Sequence, residues 1–136
     1  MILIDTNVIL DLLLERPEHI AAAQQLSDKV ESGEVHAMLC ATTVTTIDYL
    51  ARKQLGSKGA KAAVQALLSL YDVAAVTRST LQLALDADMS DFEDAVLAYS
   101  AHQAGAQAII TRNLRDFAKS PVRAYTPAQF LALHAL

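Results

Sequence analysis

The chain has 136 residues, of which 53% are hydrophobic and 19% charged, with a net charge of −4 and one cysteine. That length suits a single domain, taken as residues 1–136, with a core of its own, and such an apolar composition excludes a disordered chain. One cysteine, Cys40, excludes an internal disulfide and a Cys-rich zinc site, and the net negative charge argues against broad electrostatic capture of nucleic acid. The apolar runs fall well short of the roughly 20 residues of a membrane span. Asp5 interrupts the first of them, so no secretory leader is expected. The expected location is the cytoplasm, with no membrane partner.

Strand and helix signals alternate along the chain. Residues 2–4 (Ile-Leu-Ile) read as a buried strand. Asn7 to Leu14 is a short helix, and Pro17 is placed to open another that runs to about Ser32, with Gly33 as its stop. Val35 to Cys40 is a second strand. Thr42 or Thr43 is expected to cap a helix to about Leu55, ended by Gly56, and Ser57 to Tyr71 forms the next helix. Val73 to Val76 is a third strand, and Ser79 caps a helix to about Ala87. Ser90 and Glu93 form a Ser-x-x-Glu capping box for a helix reaching Ala104, before the stop at Gly105. Ala108 to Thr111 is a fourth strand, followed by a helical turn and a small strand from Val122 to Tyr125. Thr126-Pro127 opens the last helix. This alternation implies crossover connections: an α/β fold with a mostly parallel sheet covered on both faces, in three α/β/α layers.

The chemistry lies in the acids. Asp5 follows the first strand, and two readings of it stand side by side: the N-cap of the next helix, or the floor of a cleft at the carboxyl ends of the strands. Asp48 follows the second strand among apolar neighbours. Asp91 and Asp94, spaced i, i+3, share a helix face. Asp116 follows the fourth strand. Five acids fall between Asp86 and Asp94, whereas Arg52, Lys53, Lys58 and Lys61 form a stretch without acids. Arg112, Arg115, Lys119 and Arg123 surround Asp116. Carboxylates gathered together repel unless a cation offsets them. Mg²⁺ or Mn²⁺ does so with oxygen ligands, and either ion lowers the pKa of a bound water for attack on a phosphodiester. The four histidines show no metal-ligand spacing. No dinucleotide fingerprint, Walker loop or nucleophile elbow is present, and aromatics are too few for a base-stacking sheet.

The same residues resemble the PIN domain family. Residues 2–8 (Ile-Leu-Ile-Asp-Thr-Asn-Val) resemble its opening acidic motif. Residues 42–48 (Thr-Thr-Val-Thr-Thr-Ile-Asp) resemble its Ser/Thr-rich helix start, with Asp48 where Glu is common. Residues 92–98 (Phe-Glu-Asp-Ala-Val-Leu-Ala) resemble the third motif and place its acid at Asp94. Thr111-Arg112-Asn113 through Asp116-Phe117 resemble the fourth, with Asn113 where many members carry Asp.

The resemblance implies a metal-dependent endoribonuclease of the VapC kind, the toxin of a toxin–antitoxin pair. A small antitoxin partner, an RNA substrate and a homodimer are implied with it. It assigns Asp5, Asp94 and Asp116 to Mg²⁺ or Mn²⁺, and Asp48 to the metal or the attacking water. Thr6, Asn7, Thr111 and Asn113 become supporting residues, with Asp91 as an extra acid. Arg112 and Arg115 are assigned to the RNA backbone. Two alternatives remain: an inactive PIN fold that only binds protein, and a metal-dependent phosphatase. An aspartyl-phosphate phosphatase usually has a second Asp two residues after the first, where this chain has Asn7.

Overall fold

In the computed structural model, which describes residues 1–135, five parallel strands form one sheet in the order β3-β2-β1-β4-β5. They are β1 (Ile2–Ile4), β2 (Ala37–Cys40), β3 (Asp72–Ala74), β4 (Ala108–Ile110) and β5 (Ala124–Tyr125). The helices are α1 (Thr6–Leu13), α2 (Ile20–Glu31), α3 (Ala41–Leu70), α4 (Arg78–Asp86), α5 (Phe92–Gln103) and α6 (Pro127–His134), with a 3₁₀ turn at Leu114–Phe117. Among the described residues no helix is long and apolar enough to cross a membrane.

The side-chain period of two sorts the strands into two cores. Ile2, Ile4, Ala37, Leu39, Ala108 and Ile110 pack on one face with α1, α2, α3 and α6. Leu3, Met38, Cys40 and Ile109 pack on the other with Leu97, Ala98 and Ala101 of α5 and with Phe117. Helix α4 lies against α5 through Ala84, Ala95 and Val96. Each Leu or Ile so buried contributes roughly 1.5–3 kcal/mol, which explains the continuous apolar runs of the strands.

Several helix starts differ from the sequence reading, each for a visible reason. Helix α2 begins at Ile20, not Pro17, because Arg16 folds back: its amide bonds Asp11 O at 3.0 Å and its Nη1 lies 3.3 Å from Asp11 Oδ1. Residue 40, not Thr42 or Thr43, is the N-cap of α3; the Thr43 hydroxyl instead pairs with Thr6 Oγ1 at 2.9 Å. Thr77, not Ser79, caps α4, through a reciprocal box with Thr80. Asp91, not Ser90, caps α5 by accepting from the Asp94 amide at 2.9 Å. The expected stop at Gly56 is present as a break inside α3, with φ 73° and ψ 179°, a conformation essentially confined to glycine.

The strand order reverses between β1 and β4. The first crossovers move outward through β2 to β3, and the chain then returns to the opposite side of β1. Such a switch point opens a crevice beyond the carboxyl ends of the two adjoining strands. Asp5 directly follows β1 at that point and Thr111 directly follows β4.

Candidate active site

Asp5 fulfils both readings of it at once. Its Oδ1 accepts from the Thr6 amide at 2.8 Å at the head of α1. Its Oδ2 accepts from Thr111 Oγ1 at 2.8 Å across the switch point. The main chain is fixed as well, by Asp5 N to Ile110 O at 2.9 Å and Thr111 N to Tyr125 O at 2.9 Å. The Thr111 hydroxyl also accepts from the Asn113 amide at 3.1 Å. Asp5 is 7% exposed, and burial pushes its carboxyl above the ordinary carboxylate range. The two hydrogen bonds pull it back, while Glu93 and Asp116 push the same way as burial.

A cavity of about 250 Å³ opens over this carboxylate, lined among others by Asp5, Asn7, Asp91, Glu93, Asp94 and Asn113. Thr6, Leu10 and Thr42 complete its α1 and α3 sides. The Asp94 carboxyl is pushed up to about 7, first by burial and then by the charges of Asp91, Asp5, Asp116 and Glu93. Among the described residues neither acid has an ion-pair partner. Asp116 is exposed on the 3₁₀ turn and lines an adjoining hollow with Arg115, Asp88 and Lys119, the last two paired at 2.8 Å.

Of the residues singled out from sequence, Asp5, Thr6, Asn7, Asp91, Asp94 and Asn113 line one cavity, and Thr111 holds its floor. Asp116 is near enough to act on Asp5 and Asp94 through its charge. Asp48 lies elsewhere on α3, 2.9 Å from Arg52 Nε, and is not among the cavity's lining residues. Arg112 is turned onto Asp11, with Nε 2.6 Å from Oδ2.

Sequence reasoning missed Glu93 and Asp11. In the sequence Glu93 reads as the third residue of a capping box that starts at Ser90, but the cap is Asp91 and Glu93 lines the cleft. Asp11 lies one helical turn after Asn7, among leucines, and a lone acid in that setting is the signal that should have marked it.

The donors suit a hard dication of the Mg²⁺ type in one respect and limit it in another. All are oxygens, the carboxylates are short of counter-charge, and Asn7 Oδ1 is buried with no partner. Among the described residues, however, no group of three or more His, Cys, Asp or Glu side chains is gathered tightly enough to hold a metal ion. The arrangement therefore fits a hydrated ion on one or two carboxylates, which is how Mg²⁺ is commonly held, and not an all-protein cage.

Comparison with known proteins agrees with this architecture. No curated protein matches the chain. Solved structures do: a toxin–antitoxin complex from Klebsiella pneumoniae superposes at TM-score 0.70 with 21% identity, over 93% of this chain and 98% of that one. VapBC2 from Rickettsia felis, bound to a DNA fragment from its promoter, gives TM-score 0.71 and 13% identity over 93% and 98%. VapC20 from Mycobacterium tuberculosis, a toxin that cleaves the sarcin–ricin loop, gives 0.64 and 19% over 80% and 87%. At these identities the likeness establishes the shared fold. The sequence profile of the PIN domain matches residues 1–115, and the chain belongs to the PIN domain family.

Proposed function

We propose that this protein is a Mg²⁺- or Mn²⁺-dependent endoribonuclease and the toxin of a VapBC-like toxin–antitoxin pair. The observation that carries the reading is the convergence of Asp5, Asp94, Asp91 and Glu93 on one cavity at the switch point, with no ion-pair partner for any of them among the described residues. Asp5 and Asp94 would hold the ion, with Asp116 and the unpartnered Asn7 Oδ1 beside them. When bound, the ion supplies positive charge to phosphate oxygens and acidifies a coordinated water.

The chain's own residues set the rest. Thr111 and the Thr6 amide keep the Asp5 carboxylate aimed into the cavity. Burial and the charges of Asp91, Asp5, Asp116 and Glu93 raise the Asp94 carboxyl to about 7, and a bound cation would offset them and hold Asp94 ionised. Glu93 and Asp91 keep the cavity negative, which orients a cation toward them and holds a bare phosphate back. Arg115, exposed beside Asp116, would meet an RNA phosphate. Asp48, outside the cavity lining, would serve as a fourth acid only after leaving Arg52. An exposed pair of that kind is worth at most about 1 kcal/mol, so the rearrangement is cheap. The partner assigned is a small antitoxin that covers the cleft, and the protein acts as a homodimer. Likeness to the Klebsiella and Rickettsia complexes supports the antitoxin partner, and likeness to the VapC20 toxin supports the toxin role.

The test is incubation of the purified chain with total RNA and tRNA in Mg²⁺, Mn²⁺ or EDTA, in water enriched in ¹⁸O. Metal-dependent fragments that carry solvent ¹⁸O on a linear phosphate are expected, because water is the nucleophile. Fragments ending in a 2′,3′-cyclic phosphate, formed equally in EDTA, would overturn the proposal.

A further inference from the structure

Arg112 was expected to meet RNA, yet its guanidinium faces a carboxylate that solvent does not reach. Asp11 is 1% exposed. It accepts from Arg112 Nε at 2.6 Å and from Arg112 Nη2 at 3.2 Å, while Arg16 Nη1 approaches Oδ1 at 3.3 Å. Buried ion pairs roughly break even against apolar packing, and their best-attested use is to specify one arrangement. The connectivity identifies what is specified here. Helix α1 starts at the Asp5 cap and carries Thr6, Asn7 and Leu10 of the cavity before it reaches Asp11. Arg112 stands between Thr111, which donates to Asp5, and Asn113, which lines the cavity. Two rungs therefore join α1 to the loop after β4. One is Asp5–Thr111 at the cavity floor. The other, Asp11–Arg112, lies six residues further along the chain, roughly 9 Å up the helix at 1.5 Å per residue. The core packing of Val8, Ile9 and Leu10 holds the helix on the sheet, and the second rung adds a directional tie between its far end and the loop after β4.

We infer that Asp11 and Arg112 are positioning residues: their bidentate pair sets α1 against the β4–β5 loop and so sets Asp5 and Asn7 against Asn113 and Asp116. The inference rests on the nuclease reading for its activity readout, and on metal affinity for its independent one. The experiment compares Asp11→Asn, Arg112→Gln and Arg112→Lys for kcat, KM toward RNA, calorimetric Mn²⁺ affinity and thermal unfolding. Loss of such outer support costs about 10–100-fold in activity or metal affinity. The expected result is that loss in kcat and in Mn²⁺ affinity, with KM nearly unchanged. Arg112→Lys should be as impaired as Arg112→Gln, because lysine keeps the charge but not the fork. The double variant Asp11→Asn/Arg112→Gln should be no worse than either single one, because both remove the same pair.

A raised KM with a shallower salt dependence in Arg112→Gln, restored by Arg112→Lys, would make Arg112 an RNA contact and overturn the inference. Lower thermal stability with kcat and Mn²⁺ affinity intact would overturn it too. Should Asp11→Asn fail to fold, the Arg112→Lys comparison decides. Wild-type protein that binds Mn²⁺ without cutting RNA would remove the nuclease reading alone, and the affinities would still judge the clamp. Wild-type protein that binds no Mn²⁺ would remove both.

Discussion

Thr111→Val removes one oxygen from the floor of the cavity at nearly constant shape. Two hydrogen bonds go with it: the 2.8 Å donation to Asp5 Oδ2 and the 3.1 Å acceptance from the Asn113 amide. Thr111 is fully buried and Asp5 nearly so, so water cannot readily replace the first bond. A hydrogen bond to a charged group is worth about 1.5–3 kcal/mol and a neutral one about 1. With Asp5 ionised the variant should lose about 3 kcal/mol in all, and with Asp5 protonated about 2 kcal/mol. The pH dependence has a defined sign. The folded-state pKa of Asp5 already lies above its unfolded value, so its contribution to stability is fullest below the unfolded pKa and is lost as pH rises through the folded one. Removing the Thr111 bond, which lowers that pKa, raises it further and deepens the loss on the alkaline side. Urea denaturation at pH 8 and pH 4 measures both limbs. At roughly 3–5 °C per kcal/mol for a domain of this size, the thermal midpoint at pH 8 should fall by about 10 °C. Thr111→Ser, which keeps the hydroxyl, should show a smaller loss that does not vary with pH. Equal destabilisation of Thr111→Val at both pH values would refute the claim that the hydroxyl supports the charged form of Asp5.

Three further outcomes follow from the same geometry. Asp94→Asn should stabilise the metal-free protein, with a gain that develops from about pH 4 to about 7 as the raised carboxyl would otherwise ionise, read from thermal midpoints across that range. Addition of Mg²⁺ should then stabilise the wild type more than the variant. Asp48→Asn should reduce RNA cleavage less than Asp5→Asn in parallel rate measurements, because Asp48 stands outside the cavity beside Arg52. Gly56→Ala should cost about 1–3 kcal/mol in denaturant unfolding, since φ 73° with ψ 179° admits no Cβ without strain although space around it is free.

The strands and their order of use were legible because their physics is local. Three apolar residues ending in Asp5 have one good explanation, a buried parallel strand, and Ala108 to Ile110 repeat it. Strand ends followed by acids then pointed to Asp5 and Asp116 on the cleft side, whereas Thr111 entered only through the family resemblance. Caps were less legible, because serine, threonine and aspartate compete for adjacent positions with similar energies. The choice of Asp91 over Ser90 turns on which side chain reaches the Asp94 amide, and that single step decided whether Glu93 belonged to the helix end or to the cavity. Pairings distant in sequence were not legible at all. Nothing near Arg112 announces Asp11, 101 residues away; the arginine reads as a phosphate ligand until the buried carboxylate is seen. The partner of Asp48 was not legible either: it is Arg52, one helical turn on, outside the lining of the cavity.

The most direct test of the account is the rate of RNA cleavage as a function of Mg²⁺ concentration, for wild type, Asp5→Asn and Asp94→Asn. Removing a principal metal-binding carboxylate should cost several kcal/mol at the transition state, hence at least ~100-fold in rate. A wild-type rate that rises from near zero to saturation with Mg²⁺, with both variants at least that far below it, is the predicted result. Cleavage that is independent of Mg²⁺, or that survives in both variants, would contradict it and move the chemistry away from the carboxylates of this cleft.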